Sequence, residues 1–226
     1  MQVSSTMLQL ASLIAGIINP LGMKKSVVLV AVLLPLVACT QSHPERSVGG
    51  RCENCELLYS GLPANIPSNG RIATEAEPGE TLTIQGTVFH KDGKTPAKNV
   101  IIYLYHTDIN GIYPRDKSQP SGNVHGRLRG WVKTDAKGTY SFTTIRPASY
   151  PNSRAPQHIH VIIKEDGIAP YWIDEYLFED DPYLTEEEKS RQEKRGGPGI
   201  VRLTKNSQGT WEGQRDIILG KNIPGY

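Results

Sequence analysis

The 226-residue sequence lacks several features that would define its class at once. It has three cysteines, so its one Cys-x-x-Cys pair has no second pair to complete a four-cysteine zinc site. The formal net charge is only +2, with acids and bases interspersed, which leaves no basic surface typical of nucleic-acid binding. The apolar run at residues 26–36 is shorter than the about 20 residues that span a bilayer. A nucleic-acid partner, a cysteine-only zinc site and a membrane-spanning helix are therefore not expected.

The N-terminus predicts an export signal. Residues 1–22 carry no charge, whereas Met23 and the two lysines after it begin a basic region followed by the apolar run, so we expect translation to start at Met23. Residues 36–39 (LVAC) resemble a bacterial lipobox, in which Cys39 becomes the lipidated first residue of the mature protein. Thr40, where an Asp would favour retention in the inner membrane, suggests the outer membrane facing the periplasm. The alternative is an ordinary cleaved signal peptide with an incidental cysteine.

The next residues predict a tether and then a single domain. Residues 40–50 are polar and rich in helix and strand breakers, which is typical of a flexible linker. Cys52 and Cys55 follow, and in an oxidising envelope a local structural disulfide is the preferred interpretation, with a redox role as the alternative. We expect residues 51–226 to form one domain, because no repeat or second core is evident.

The pattern of short β-rich runs between turns predicts an all-β fold, a two-sheet β-sandwich. One short helix is expected at residues 185–194, where Thr185 and Glu188 form a capping box and glycines end the helix. The strands are predicted at residues 81–89, 100–106, 131–134, 139–144, the run that contains His158, 172–173, 176–178, 200–203 and 211–219.

His158 and His160 lie two residues apart in one of these predicted strands. Because side chains alternate faces along a strand, both imidazoles point the same way, while Ile159, Val161 and Ile163 point to the other side. One face can be buried and the other carries two nitrogen donors, as in many metal sites. Taken alone, the pair could equally be two histidines on a solvated strand face.

Six runs occur in an order and at spacings that resemble the intradiol ring-cleavage dioxygenases. The similarity covers most of residues 81–184, and no single run would be sufficient. The runs are residues 103–113 (YLYHTDINGIY), 126–130 (GRLRG), 134–147 (TDAKGTYSFTTIRP), 150–151 (YP), 158–160 (HIH) and 177–182 (LFEDDP).

The resemblance implies a mononuclear non-haem Fe(III) site held by Tyr113, Tyr150, His158 and His160. Two phenolate oxygens and two imidazoles suit Fe(III), whereas a zinc or copper site more often contains cysteine or a third histidine. The implied reaction inserts dioxygen between the two hydroxylated carbons of a catechol, as in aromatic compound catabolism. Tyr150 is then the ligand that leaves the metal and helps to take up a substrate proton, while the other three ligands stay.

The sequence departs from the family pattern at two positions. The family has an arginine three residues before the first histidine, where this chain has Ala155, and Arg154 is one position earlier. We expect Arg154 to serve as a catalytic cation, because Pro156 restricts the residue before it and an irregular strand entry can break the alternation of faces. The family glutamine near the substrate corresponds to Glu175, whose negative charge would disfavour a catecholate unless it is paired.

Three functions therefore fit the sequence. The first is an envelope-anchored dioxygenase acting on a catechol and dioxygen, with a homodimer as a possible assembly. The second is a non-catalytic iron- or ligand-binding lipoprotein that has lost the family arginine. The third is a hydrolase or other enzyme with zinc on His158 and His160, for which Tyr113 and Tyr150 would be dispensable.

Overall fold

Two β-sheets form the architecture of the protein. The computed structural model describes residues 44–115 and 124–226, so the predicted signal, Cys39 and Thr40 lie outside the described residues. The first sheet contains β1 (Asn69–Arg71), β2 (Thr81–Phe89), β5 (Thr139–Ile145), β9 (Thr204–Lys205), β10 (Trp211–Gln214) and β11 (Ile217–Ile218). The second contains β3 (Ile101–Tyr105), β4 (Arg129–Lys133), β6 (His158–Glu165), β7 (Ile168–Phe178) and β8 (Ile200–Val201), in the spatial order β4-β3-β6-β7-β8.

The core lies between the two sheets, as strand alternation predicts. In β2 the residues Leu82, Ile84 and Val88 are fully buried, and in β6 Ile159 and Ile163 are fully buried against them. Each such side chain contributes roughly 2 kcal/mol to folding by leaving water. The predicted all-β sandwich is confirmed, and the histidines of β6 are left on the outer face of the second sheet.

Predicted and observed strand bounds agree best for strands whose pairing with a neighbour is uninterrupted. The prediction for β2 matches at both ends. The single strand predicted at residues 211–219 is instead β10 and β11, because Thr87 donates its backbone N–H to the Asp216 side chain and not to a backbone carbonyl. The two pieces predicted at residues 172–173 and 176–178 are one strand, β7, with an irregularity between them.

The predicted helix is present but shorter than expected. Helix α1 (Glu186–Ser190) begins after Thr185, whose hydroxyl accepts a hydrogen bond from the backbone N–H of Glu188 at 3.2 Å. It does not reach Lys194, which has a positive φ and donates its backbone N–H to Asp174. Across the described ranges, no helix is long and apolar enough to cross a membrane.

The last part of the predicted tether belongs to the folded domain. Arg46 forms a β-bridge with Ile168, and Gly49 donates its backbone N–H to the Pro224 carbonyl at 2.7 Å. Val48 is 5% exposed and packs in the main core. The polar composition of residues 40–50 did not predict these contacts. One buried valine and a few backbone hydrogen bonds hold the segment against the domain.

Residues 51–60, here called the disulfide segment, cover the outer face of the second sheet. Cys52 and Cys55 are bonded to each other, as predicted, and a 3-10 helix follows at Cys55–Tyr59. Cys55 and Leu58 are buried with Tyr103 and Ile162 in a small second apolar cluster. This cluster was not predicted, because its members come from three separate parts of the chain.

Candidate metal centre

Three of the four predicted ligands contact the hydroxyl oxygen of the fourth, Tyr150. Its Oη atom lies 2.7 Å from Tyr113 Oη, 3.0 Å from His158 Nε2 and 3.4 Å from His160 Nε2. All four side chains are only partly exposed. The structure therefore places one phenol oxygen and two imidazole nitrogens around the phenol oxygen of Tyr150.

β6 presents both imidazoles on one face, and each ring has its far nitrogen engaged. His158 donates from Nδ1 to the Pro156 carbonyl at 2.6 Å, which leaves the lone pair of its Nε2 directed at Tyr150. His160 has Nδ1 3.4 Å from Glu175 Oε1. Fixing Nδ1 in this way sets the tautomer and the orientation of a metal-ligating histidine.

Glu175 reaches His160 because β7 contains a β-bulge. Tyr176 pairs with Ile159 and Ile173 pairs with Val161, so Asp174 and Glu175 together lie opposite the single residue His160. In a regular strand Glu175 would share the inward direction of Ile173. Burial raises the pKa of Glu175, but the hydrogen bond and charge of His160 outweigh burial and lower the pKa to about 2.

The two tyrosines are on loops that are tied together. The turn before Tyr113 is held by the Asp108 carboxylate, which accepts the backbone N–H groups of Asn110 and Ile112. Gly111 has φ of +73°, and a Cβ atom on it would lie 2.0 Å from the Ser149 carbonyl oxygen. Only glycine allows this approach, so the loop of Tyr113 rests directly on the residue before Tyr150.

The chain that enters β6 is held by residues from the family-like runs. Asp181 accepts the backbone N–H of Gln157 at 2.6 Å, and Arg146 donates to both the Gln157 side chain and Asp180. These contacts fix the backbone immediately before His158. The sequence contained these residues within its motifs but gave no indication of this supporting role.

An aromatic stack supports His160 from the side. The Tyr105 ring lies 4.5 Å from the His160 ring and 3.6 Å from the His125 ring, nearly parallel to both. His125 in turn lies 3.0 Å from the Tyr103 hydroxyl through Nδ1. This support was not predicted. The available signal was the spacing of Tyr103 and Tyr105, which are two residues apart in β3 and therefore lie on the same face of the strand.

The donor set fits a multivalent cation. Burial raises the pKa of both phenols, and the hydrogen bond between them raises the pKa of Tyr113 further. Burial also lowers the pKa of His158, which favours the neutral imidazole that binds metals. A cation bound to the phenol oxygens lowers the pKa of the phenols instead, because it stabilises phenolate. No group of three His, Cys, Asp or Glu side chains suited to a metal occurs in the described part of the chain.

Arg154 is not brought to the four donors by a contact. It is exposed and forms no hydrogen bond or ion pair with any described residue. Its predicted role as the missing catalytic cation therefore stays a prediction. Of the other nearby arginines, Arg127 is paired with Glu77, and Arg129 is buried and donates to the Ser60 and Gly126 carbonyls.

Two cavities flank the histidines. A cavity of about 150 Å³ lies beside His158, and its lining includes Glu188 of α1 and Gln192, which follows the helix. A larger cavity of about 350 Å³ lies beside His160, within the usual size range of ligand sites, and Glu175 borders both cavities. The walls of the larger cavity include Arg51, Cys52 and Glu53 from the disulfide segment and Tyr105, His160 and Glu175 from the sheet.

Comparison with known proteins gives a family match whose residues include the four predicted ligands. A family model described as Dioxygenase matches residues 64–196. Catechol 1,2-dioxygenase 2 of Acinetobacter lwoffii is 31% identical over 145 residues, which are 57% of this chain and 50% of that protein. The protocatechuate 3,4-dioxygenase beta chain of Burkholderia cepacia is 29% identical over 140 residues, which are 58% of this chain and 57% of that protein. The chain spans about half the length of these curated relatives.

Solved structures show the same fold. The dioxygenase domain of a dioxygenase carbohydrate-binding protein fusion from Streptomyces sp. SirexAA-E has a TM-score of 0.54 and 23% identity, with 70% of this chain and 91% of that chain covered. Catechol 1,2-dioxygenase from Acinetobacter sp. ADP1 has a TM-score of 0.53 and 22% identity, with 74% of this chain and 66% of that chain covered. These likenesses establish the β-sandwich independently of the ligand residues.

Proposed function

The chain belongs to the intradiol dioxygenase family, and we propose that it is a non-haem Fe(III) dioxygenase that cleaves a catechol-type ring between its two hydroxylated carbons. The observation that carries this proposal is the convergence of Tyr113, His158 and His160 on the Tyr150 hydroxyl. Two phenols and two imidazoles are the donor types that suit ferric iron. Each histidine also has a partner on Nδ1, the Pro156 carbonyl for His158 and Glu175 for His160, which supports their assignment as oriented ligands.

The four donors would divide into three permanent ligands and one that leaves. Tyr113, His158 and His160 would hold the metal throughout, and Tyr150 would leave it when the substrate binds. Iron would act as a Lewis acid and template for the two substrate oxygens. As a metal ligand Tyr150 would be a phenolate, and on leaving the metal this phenolate would accept a proton from a substrate hydroxyl and become the neutral phenol, which the neighbouring donor groups contact.

The supporting residues would keep the imidazoles in place during this exchange. The Pro156 carbonyl orients His158, while Glu175 and the Tyr105 ring orient His160 from two sides. The Nδ1–H of His160 would donate to the Glu175 carboxylate, so that this anion has a hydrogen-bond partner at the site.

Metal analysis and oxygen uptake test this proposal on the purified full-length protein. We expect about one iron per chain, a visible phenolate-to-iron charge-transfer colour, and uptake of dioxygen with a catechol to give a ring-opened dicarboxylate. Zinc in place of iron would contradict the proposal and support a hydrolase or another zinc enzyme. Full activity of a variant that lacks the hydroxyls of Tyr113 and Tyr150 would likewise contradict the proposal and support a zinc enzyme.

A non-catalytic iron-binding protein is the second candidate. It is favoured by Ala155 at the position of the family arginine and by Arg154, which is exposed and has no hydrogen bond or ion pair with a described residue. Iron and colour without oxygen uptake across a panel of catechols would support this candidate. Oxygen uptake coupled to loss of the catechol would eliminate it.

We also propose that the protein works in the bacterial cell envelope, held by a lipid on Cys39. The sequence at residues 36–39 and the paired cysteines Cys52 and Cys55 support an oxidising location outside the cytoplasm. In this location the domain would meet small aromatic compounds before they enter the cell.

A further inference from the structure

Side chains on the outer face of the second sheet form two neighbouring rows that cross its strands. In one row, Tyr105 of β3 is the direct cross-strand partner of His160 of β6. Two residues along β3, Tyr103 is the partner of both Trp131 of β4 and Ile162 of β6. Because residues two apart in a strand share a face, this second row lies directly beside the metal-site row.

The disulfide segment covers the second row. Tyr103 and Ile162 are only 0% and 2% exposed, although they lie on the face away from the main core, because Cys55 and Leu58 are buried against them. Tyr105 packs against the edge of this same cluster. The segment precedes residues 64–196, which match the family, so this cover comes from outside the matched part of the chain.

Three hydrogen bonds fix the segment to the sheet at its start, in its second half and at its end. They run from Trp172 Nε1 to the Arg51 carbonyl at 3.2 Å, from Trp131 Nε1 to the Leu58 carbonyl at 2.8 Å, and from Arg129 to the Ser60 carbonyl at 2.7 Å. The disulfide closes the turn between Cys52 and Cys55. The segment is therefore held in place over the row that it covers.

The Tyr105 ring lies between the covered row and the metal site. Its centroid is 5.8 Å from that of the Tyr103 ring, and on the other side it is 4.5 Å from that of the His160 imidazole, with the two planes 18° apart. A ring that is packed from both sides is restricted in the orientations that it can adopt. A displacement of Tyr103 would therefore reach His160 through this ring.

We propose that the disulfide segment is a positioning element for the metal site, which acts on His160 through Tyr105. This inference rests on the proposed iron-binding function. The buried Leu58 side chain keeps the Tyr103 ring in place, and Tyr103 in turn limits the movement of Tyr105. The stacked Tyr105 ring then holds the His160 imidazole in one orientation, and ligand orientation is set by supporting contacts of this kind.

Proton NMR of the metal-free full-length protein tests the positioning without iron. The ring protons of His160, assigned with His160→Gln, should move downfield in Tyr105→Leu, because the stacked ring that shields them is gone. They should move part of the way in Leu58→Ala and stay near their original positions in Tyr105→Phe, which keeps the ring. The signals of the exposed His90 should not move in any of these variants.

The rate at which iron is lost to a chelator measures the consequence for the metal. Tyr105→Leu and Leu58→Ala should each release iron roughly 3- to 10-fold faster than the unaltered protein, at or below the lower end of the effects of losing a supporting group. Both should also shift the charge-transfer band. If Leu58 acts through Tyr105, adding Leu58→Ala to Tyr105→Leu should change neither quantity further.

Leu219→Ala is the matched control, because it deletes the same atoms from a buried leucine of the main core that is bonded to Phe89 of the first sheet. It should lower stability without moving the His160 signals or the rate of iron release. Trp131→Phe, which removes the hydrogen bond to the Leu58 carbonyl but keeps a ring, serves if Leu58→Ala does not fold. It should move the His160 signals in the same direction by a smaller amount.

Three outcomes would overturn the inference while iron binding still stands. These are His160 signals that stay unchanged in both Leu58→Ala and Trp131→Phe, additive effects in the double variant, and an equal effect of Leu219→Ala on iron release. An unaltered protein that binds no iron would overturn the proposed function instead. The NMR comparison of the metal-free variants would then still decide whether the segment positions His160.

Discussion

The Nδ1 atom of His160 lies 3.4 Å from Oε1 of Glu175, and this contact exists because two residues of β7 bulge opposite one residue of β6. A carboxylate on the far nitrogen of a metal-binding imidazole makes that imidazole a stronger donor and fixes its ring. The family glutamine at this position could orient the ring but would not add charge. The proposed iron site should therefore differ from the family pattern in the basicity of one ligand.

Replacing Glu175 with glutamine tests this difference. Glu175→Gln should lower iron affinity roughly 10-fold, the lower end of the effects of removing such a supporting group, and should shift the charge-transfer band. Competition with a chelator and the visible spectrum measure both quantities without turnover. Glu179→Gln is the control, because Glu179 is paired with Arg202 on the surface. Equal affinity and spectrum in both variants would contradict the role given to Glu175.

The ligand variants should divide into two classes. Tyr113→Phe and His160→Ala should lose iron and colour, because each removes a permanent donor. Tyr150→Phe should keep more of its iron, change its spectrum and turn over slowly, because its oxygen is needed for the exchange with substrate and for the proton. Iron content and spectra of the three proteins measure this division. Tyr183→Phe, at an exposed tyrosine, is the control, and identical results for all three ligand variants would remove the dioxygenase assignment.

Gly111 should be essential for bringing the tyrosines together. Gly111→Ala imposes a left-handed residue at a cost of about 1 kcal/mol and places a Cβ atom against the Ser149 carbonyl, so we expect a total loss of at least about 3 kcal/mol of unfolding free energy. Iron binding should fall as well. Gly209 has a similar φ of +80° with open space around it, so Gly209→Ala should lose only the about 1 kcal/mol that a left-handed backbone costs an alanine. Denaturant unfolding measures both, and equal losses would show that the Ser149 contact is unimportant.

His106 should make the fold sensitive to acid. It is fully buried between the Thr107 carbonyl and the Thr144 hydroxyl, and burial lowers its pKa to about 4. The unfolded chain, with a pKa near 6.5, then binds more protons between about pH 4 and 6.5. Stability from this residue is complete above pH 6.5 and falls on the order of 3 kcal/mol as the pH drops to 4.

The variant His106→Gln should flatten this part of the stability profile. Burial also lowers the pKa of His125 to about 4. In the His106→Gln protein, stability should therefore still fall with decreasing pH, but less steeply than in the unaltered protein. Urea unfolding at a series of pH values, with exposed His90→Gln as the control, measures the difference. A profile for His106→Gln with the full original slope would assign the acid sensitivity to other groups.

Cys39→Ser tests the proposed lipid anchor. Without the thiol that carries the lipid, the protein should leave the membrane fraction, since a diacylated N-terminus is the attachment that the lipobox predicts. The mass of the mature protein should fall by that of the lipid, while circular dichroism of the domain stays the same. Unchanged fractionation together with unchanged mass would refute the anchor.

The sequence by itself determined the features that depend on neighbouring residues. The spacing of His158 and His160 placed both rings on one strand face, the Thr185 and Glu188 pair began the helix, and Cys52 and Cys55 were close enough to pair. The two-sheet class followed from alternating apolar residues between turns. Each of these follows from backbone geometry over a few residues.

The tertiary structure alone decided the features that join distant residues. Residues 174–175 separated two predicted strand pieces, but only pairing with β6 shows that a bulge turns Glu175 outward to His160. Residues 52–55 were expected to form only a local disulfide, yet residues 51–53 line a cavity, because tryptophans far along the chain bind their segment. Register, bulges and the docking of loops are set by contacts that pack best across the whole domain, and no local pattern specifies such contacts.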